Sequence, residues 1–88
     1  MNTTYISASR SFKLASSDIM VDEQITLIHS EAGMFEVLAL NNSEQISTGG
    51  WKSVATTLES TGSVTRALHV FTQHTTGPGW HSALHQGQ

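Results

Sequence analysis

Four of the five histidines lie in the last twenty residues of this 88-residue chain, at His69, His74, His81 and His85. His81 and His85 are four residues apart, the spacing that brings two imidazoles to one face of a helix in many zinc sites. His69 or His74 could supply a third ligand. Ser82, however, directly follows His81, where zinc hydrolases with this spacing carry a catalytic glutamate. We therefore expect surface or half-buried histidines and keep histidine-mediated metal binding as an alternative.

The histidines also predict a response to pH. The formal net charge is −3 with neutral histidines, and protonation of all five would change it to about +2. Any self-association of the chain is therefore expected to depend on pH near the reference pKa of histidine, about 6.5.

Other chemistry has little support in the sequence. The chain has no cysteine, so it offers neither a thiolate nucleophile nor a disulfide. It contains no Gly-x-Ser-x-Gly motif. The segment 49–53 is similar to the end of a phosphate-binding loop, but the first glycine of that motif is missing. We predict that the protein is not an enzyme and needs no cofactor.

Charge and hydropathy limit the partners. The sequence contains four basic and seven acidic residues, so it has no basic patch for nucleic acid. No apolar run approaches the roughly 18 residues of a membrane span, which argues against a membrane partner. The N-terminus lacks the basic start and apolar stretch of a signal peptide. We expect a soluble protein that is cytoplasmic or part of a virion.

The composition of the chain that must position the histidines favours β-structure, because Ser, Thr and Val are frequent and only one proline occurs. Alternation predicts a first strand over 5–14, followed by a turn at 16–18. The segments 24–29 and 34–40 flank Gly33 and predict a hairpin. Residues 41–43 are turn formers and are expected to end its second strand.

The second half of the predicted domain is ambiguous. Residues 51–58 fit either a strand or a helix, because Trp51, Val54 and Leu58 share one helical face. The turn formers at 60–63 and the apolar run 64–73 favour a second hairpin. The predicted fold is mainly β, a small antiparallel sandwich or partly open barrel of five or six short strands. The alternative is α+β with one helix near 51–60.

The C-terminus is predicted to be a separate docking tail. We expect a single β-rich domain over 1–76 and a tail over 77–88 that begins with the turn 77–79. Trp80 and Leu84 are four apart and would form an apolar stripe on a short terminal helix. Such a tail can fold back onto its own domain or place Trp80 in a pocket of a neighbour.

Together these features predict a protein that acts by contacts rather than by catalysis. The first hypothesis is a non-enzymatic assembly protein that works as a homo-oligomer, with phage or viral structural accessory proteins as the compositional analogy and with a host or virion protein as a further partner. A small monomeric inhibitor or adaptor that binds a host protein through an edge strand or loop is the alternative. Trp51 is interpreted as a core anchor in preference to a contact residue. The candidate interface residues are Trp80, Leu84, Trp51, Phe35 and Met34.

Overall fold

The computed structural model describes residues 3–84. Four strands of eleven residues each are followed by a helix and a short strand: β1 Thr3–Lys13, β2 Ile19–His29, β3 Phe35–Gln45, β4 Trp51–Thr61, α1 Val64–His74 and β5 His81–Leu84. The strands form one antiparallel sheet in the order β4-β3-β2-β1-β5. The mainly β class is confirmed. The predicted sandwich or barrel of five or six short strands is not confirmed, since four long strands and the short β5 form one open sheet with α1 on one face.

The predicted central hairpin is present between β2 and β3. The Ser30 N–H donates to the Met34 carbonyl at 2.8 Å, and the Gly33 N–H donates to the Ser30 carbonyl at 3.0 Å. Gly33 has a φ of 80°, a conformation that costs little without a Cβ. The strands extend further than predicted, because residues 41–43 do not end β3. Asn42 instead lies within the ladder, where its side-chain oxygen accepts a hydrogen bond from the Ser53 hydroxyl at 2.5 Å.

The ambiguous segment 51–60 is a strand, so the helix that we kept as an alternative there is wrong. It pairs with β3 over its full length, with a bulge at Leu58 opposite the step from Val37 to Leu38. A bulge places an extra residue on one strand and turns its side chain. Leu58 consequently packs against the core although it lies on an otherwise exposed strand.

The predicted strand over 64–73 is wrong, because these residues form α1. Ser63 is its N-cap and accepts a hydrogen bond from the Arg66 N–H at 3.2 Å. Ala67, Val70 and Phe71 are buried, and their spacing places them on one helical face. The β-branched residues of this segment lower its helix propensity, but burial of this face against the sheet outweighs that cost.

The core lies between α1 and the sheet. Leu27 and Val37 are fully buried neighbours on β2 and β3, and the helix packs on β2, β3 and β4. The buried cluster consists of Ala8, Ile25, Leu27, Val37, Ala67, Val70 and Phe71. Alternate residues of the long strands therefore lie on the side of the sheet that carries α1, and the opposite side has no covering layer among residues 3–84.

The segment after α1 is extended rather than helical. Residues 81–84 form β5, which pairs with residues 6–9 of β1. The predicted short terminal helix with Trp80 and Leu84 on one face is therefore wrong. Gly77 and Gly79, with φ of 113° and 88°, redirect the chain so that β5 can reach β1.

Candidate interaction edge

The outer edge of β4 is the most exposed part of the sheet. All residues from 51 to 57 are exposed, and within residues 3–84 no strand pairs with this edge. Trp51 is 75% exposed and Val54 is 48% exposed. The preferred interpretation of Trp51 as a core anchor is thus wrong. Its neighbour across the strands is Glu44, near the end of β3, where neither the core nor α1 reaches it.

Backbone hydrogen bonds show which groups of β4 point outward. The Gln45 N–H donates to the Gly50 carbonyl, and the Ile46 N–H donates to the Asp18 carbonyl. In an antiparallel ladder, successive residues alternate between the two neighbours. The N–H and carbonyl groups of the odd residues of β3 therefore point to β4. Before the bulge, they form hydrogen bonds with the even residues of β4. The N–H and carbonyl groups of Trp51, Ser53, Ala55 and Thr57 consequently point away from the sheet.

The sheet face opposite α1, which we call the bare face, contains a shallow apolar depression beside this edge. Leu38 and Leu40 form its floor, because they alternate with Val37, which faces the helix. The depression has a volume of about 340 Å³ and is lined by Gln24, Thr26, Leu38, Ala39, Leu40, Ala55, Thr56 and Thr57. Apolar side chains thus extend from the middle of the sheet to the β4 edge.

The β1 edge is built differently. β5 covers residues 6–9, and Trp80 packs against the core next to it. The Arg10 guanidinium lies 4.6 Å from the centre of the Trp80 ring and donates to Glu23 at 2.8 Å. A cation over an indole ring is attracted by its negative face. Arg10 thereby holds Trp80 on its own domain, in agreement with the fold-back alternative for the tail.

The other candidate contact residues lie away from the β4 edge. Phe35 is half-buried and stacks on His29 with ring centroids 4.5 Å apart. Met34 is half-buried in the β2–β3 turn, and Leu84 pairs through its backbone with Ile6. Among the four candidates whose side chains the structure describes, Trp51 is the exposed one at an open edge.

The histidines that the structure describes are not brought together. His69 and His74 lie on exposed positions of α1, and His81 is exposed in β5. Within residues 3–84 no group of three or more His, Cys, Asp or Glu side chains could hold a metal ion. His85 lies outside the described residues, so the pair that it forms with His81 remains a prediction.

One carboxylate links two loops at the end of the sheet. Asp18 accepts a hydrogen bond from the Ser47 N–H at 3.2 Å, and its own carbonyl accepts from the Ile46 N–H at 2.8 Å. Hydrogen bonding to Ser47 favours the ionised form and lowers the pKa of Asp18 below its ordinary value of 3.8. The β1–β2 and β3–β4 loops are joined at this point.

Sequence reasoning missed the β4 edge because it paired residues 51–58 with the segment that forms α1. The available signal was Ser63, which caps α1, together with the spacing of Ala67, Val70 and Phe71. With a helix at 64–74, β4 has no second neighbour among residues 3–84, and its outer edge is open there.

No helix within residues 3–84 has the length and apolar character needed to cross a membrane. No protein-family model, no curated protein and no solved structure matches the chain.

Proposed function

We propose that this protein is a non-enzymatic module that works by protein–protein contacts as a homo-oligomer. The observation that supports the proposal is the open edge of β4. This edge is eleven residues long, contains no proline and has two charged side chains, Lys52 and Glu59. Proteins usually protect edge strands with short length, proline, several charges, a bulge or a covering segment. Residues 51–57 precede the bulge at Leu58 and contain one charged side chain, Lys52, so this stretch is a regular open edge that can act as a template for pairing with another chain.

The side chains at this edge support the same conclusion. Trp51 and Val54 offer apolar area to a partner, and the depression above Leu38 and Leu40 extends onto β4 itself. Tryptophan is frequent among the residues that dominate binding energy at interfaces. Backbone groups would give affinity and these side chains would give specificity.

The test is the oligomeric state of the purified chain. Sedimentation velocity over a wide range of concentrations should show species above the monomer mass of 9.5 kDa. Ala55→Pro removes an N–H that points outward and should return the protein to monomer while leaving the β3–β4 ladder intact. A wild-type chain that stays monomeric at every concentration would overturn the proposal.

A matched control is available on the opposite edge. By the same alternation Ser11 points outward, beyond the four residues that β5 covers. Ser11→Pro should therefore keep the oligomer, although it removes the hydrogen bond from Ser11 to Asp22. Circular dichroism of both variants verifies that each one folds. Ala55→Lys places a charge on the edge and should also prevent pairing, without introducing a proline.

The monomeric adaptor is the second candidate, and the same edge favours it. An extended segment of another protein could pair with β4 in place of a second copy. A chain that is monomeric at high concentration, and whose β4 amides become protected only when such a segment is added, would favour the adaptor. Nothing in the fold or the comparisons adds support to the phage or viral analogy.

A further inference from the structure

We propose that the partner at this edge is a second copy of the same chain, paired antiparallel through β4 about a two-fold axis at Ala55. This inference rests on the proposed self-association and specifies its geometry. It follows from three features of β4: the direction of its backbone groups, the position of its two charges and the location of Trp51.

The backbone limits the possible registers. Trp51, Ser53, Ala55 and Thr57 direct their N–H and carbonyl groups outward, so two copies must pair odd residues with odd residues. A two-fold axis at Ala55 satisfies this condition, since Ala55 then faces its own copy and Ser53 faces Thr57. An axis at Val54 also satisfies it, with Ser53 opposite Ala55.

The charges select between these registers. Lys52 pairs with Ser43 and Glu59 pairs with Val37, so both side chains lie on the face that carries α1. With the axis at Ala55, the bulge at Leu58 brings Glu59 opposite Lys52 of the second copy, and the symmetry repeats this contact. With the axis at Val54, Lys52 faces Thr56 instead. Opposite charges on facing residues stabilise a strand pair and help to set its orientation.

Glu59 already has one cationic neighbour. Its Oε1 accepts from Arg66 Nη2 at 3.3 Å, and both side chains are partly exposed. A carboxylate has several acceptor sites and can take a second donor. Lys52 of the second copy would therefore join an existing ion pair rather than replace one.

Trp51 completes the fit on the bare face. It pairs with Glu44, Ala55 pairs with Leu40 and Thr57 pairs with Leu38, so these residues share that face. In the Ala55 register, Trp51 of one copy lies diagonal to Thr57 of the other, within the reach of an aromatic side chain. Thr57 forms the rim of the depression. Each tryptophan would thus cover an apolar surface that neither copy covers alone.

The absence of cysteine from the sequence permits a direct test of the register. Under mild oxidation, Ala55→Cys should form a disulfide-linked dimer, because facing hydrogen-bonded residues have Cα atoms about 5.5 Å apart. Val54→Cys and Ser53→Cys are the matched controls. With the two-fold axis at Ala55, each Val54 lies two residues along the strand from Val54 of the second copy, and each Ser53 lies four residues from its counterpart. These offsets are roughly 7 and 13 Å. Both should stay largely unlinked.

A second measurement addresses the tryptophan. Trp51→Ala should weaken the dimer at least about tenfold in sedimentation equilibrium, since two tryptophans are buried in each dimer. Leu14→Ala, at a side chain that is 41% exposed outside β4, should leave the dissociation constant unchanged.

The possible results separate the two proposals. A wild-type monomer at all concentrations would overturn both. An oligomer in which Val54→Cys crosslinks in preference to Ala55→Cys, or in which Trp51→Ala has no effect, would keep the self-association and overturn this geometry. Efficient crosslinking of Ala55→Cys alone, together with weaker association of Trp51→Ala, is the expected result.

Discussion

The two edges of the sheet differ in how they are protected. At the β1 edge, β5 covers four residues, Trp80 packs beside it and Arg10 lies over the indole. At the β4 edge, Trp51 is exposed, and the structure of residues 3–84 places no segment there. Trp80 therefore packs beside the short terminal strand β5, while Trp51 stays exposed on the long edge strand β4. The two ends of the sheet differ because a segment of the same chain covers β1, whereas β4 has no neighbour on its outer side among residues 3–84.

The helix affects the two edges unequally. α1 packs on β2, β3 and β4, so it supports the open edge, whereas the β1 edge depends on β5 and Trp80. Substitutions in α1 and at Trp80 should accordingly affect different ends of the sheet.

The largest effect is expected for Phe71→Ala. Phe71 is 5% exposed at the contact between α1 and the sheet, and truncation of a buried phenylalanine usually costs about 3–5 kcal/mol. The free energy of unfolding, measured by urea denaturation, should fall by that amount. Leu68→Ala, at a side chain that is 44% exposed on the same helix, should cost far less. Equal losses for the two variants would contradict the packing of α1 on the sheet.

An intermediate effect is expected for Trp80→Ala. The substitution removes a half-buried indole and its contact with Arg10, so the free energy of unfolding should fall by about 1–2 kcal/mol. Hydrogen exchange should accelerate at the Ser7 and Ser9 amides, which face β5, and stay unchanged along β4.

Trp51→Ala provides the matched comparison at the other edge. At a concentration where the chain is monomeric, this substitution should change the free energy of unfolding by no more than about 0.5 kcal/mol. If both tryptophan variants lost similar stability as monomers, the contrast between a closed and an open edge would not hold.

The smallest effect is expected for Asp18→Asn and depends on pH. Hydrogen bonds from Ser47 lower the pKa of Asp18 in the folded chain below its ordinary value of 3.8. The ionised carboxylate therefore stabilises the folded chain at a pH above that ordinary value. That contribution is lost as the pH falls through the lower pKa of the folded state. Wild-type stability should thus decline on acidification below about pH 4, and the variant should lack this part of the decline.

Thermal unfolding between pH 2 and 7 measures the difference. Glu44→Gln removes an exposed carboxylate from the same end of the sheet and controls for net charge. A constant difference between Asp18→Asn and wild type across this range would argue against a role of the Asp18 carboxylate in joining the two loops.

Local sequence patterns predicted much of the first half of the fold. Gly33 between two apolar runs predicted the β2–β3 hairpin, because a positive φ is required there and the flanking residues suit a sheet. The same reasoning was wrong for 64–73. That segment has β-branched residues and an alternating pattern, yet its helical face is needed to cover Leu27 and Val37.

The exposure of the two tryptophans was less predictable. Trp51 and Trp80 are both large and apolar, and nothing in their neighbours along the chain shows which one the domain buries. Exposure of Trp51 follows from the edge position of β4, and packing of Trp80 follows from the pairing of β5 with β1. Both depend on contacts between distant residues.

The sequence by itself determined the mainly β class and the central hairpin, since these depend on β-branched composition, turn residues and short-range periodicity. For residues 51–60, the same local patterns fitted a strand and a helix equally well. The tertiary structure decided that 64–74 is a helix, that β4 is an open edge and which tryptophan stays exposed. Those outcomes depend on which surfaces must be buried against each other, a choice made by burial across the whole chain rather than by local preference.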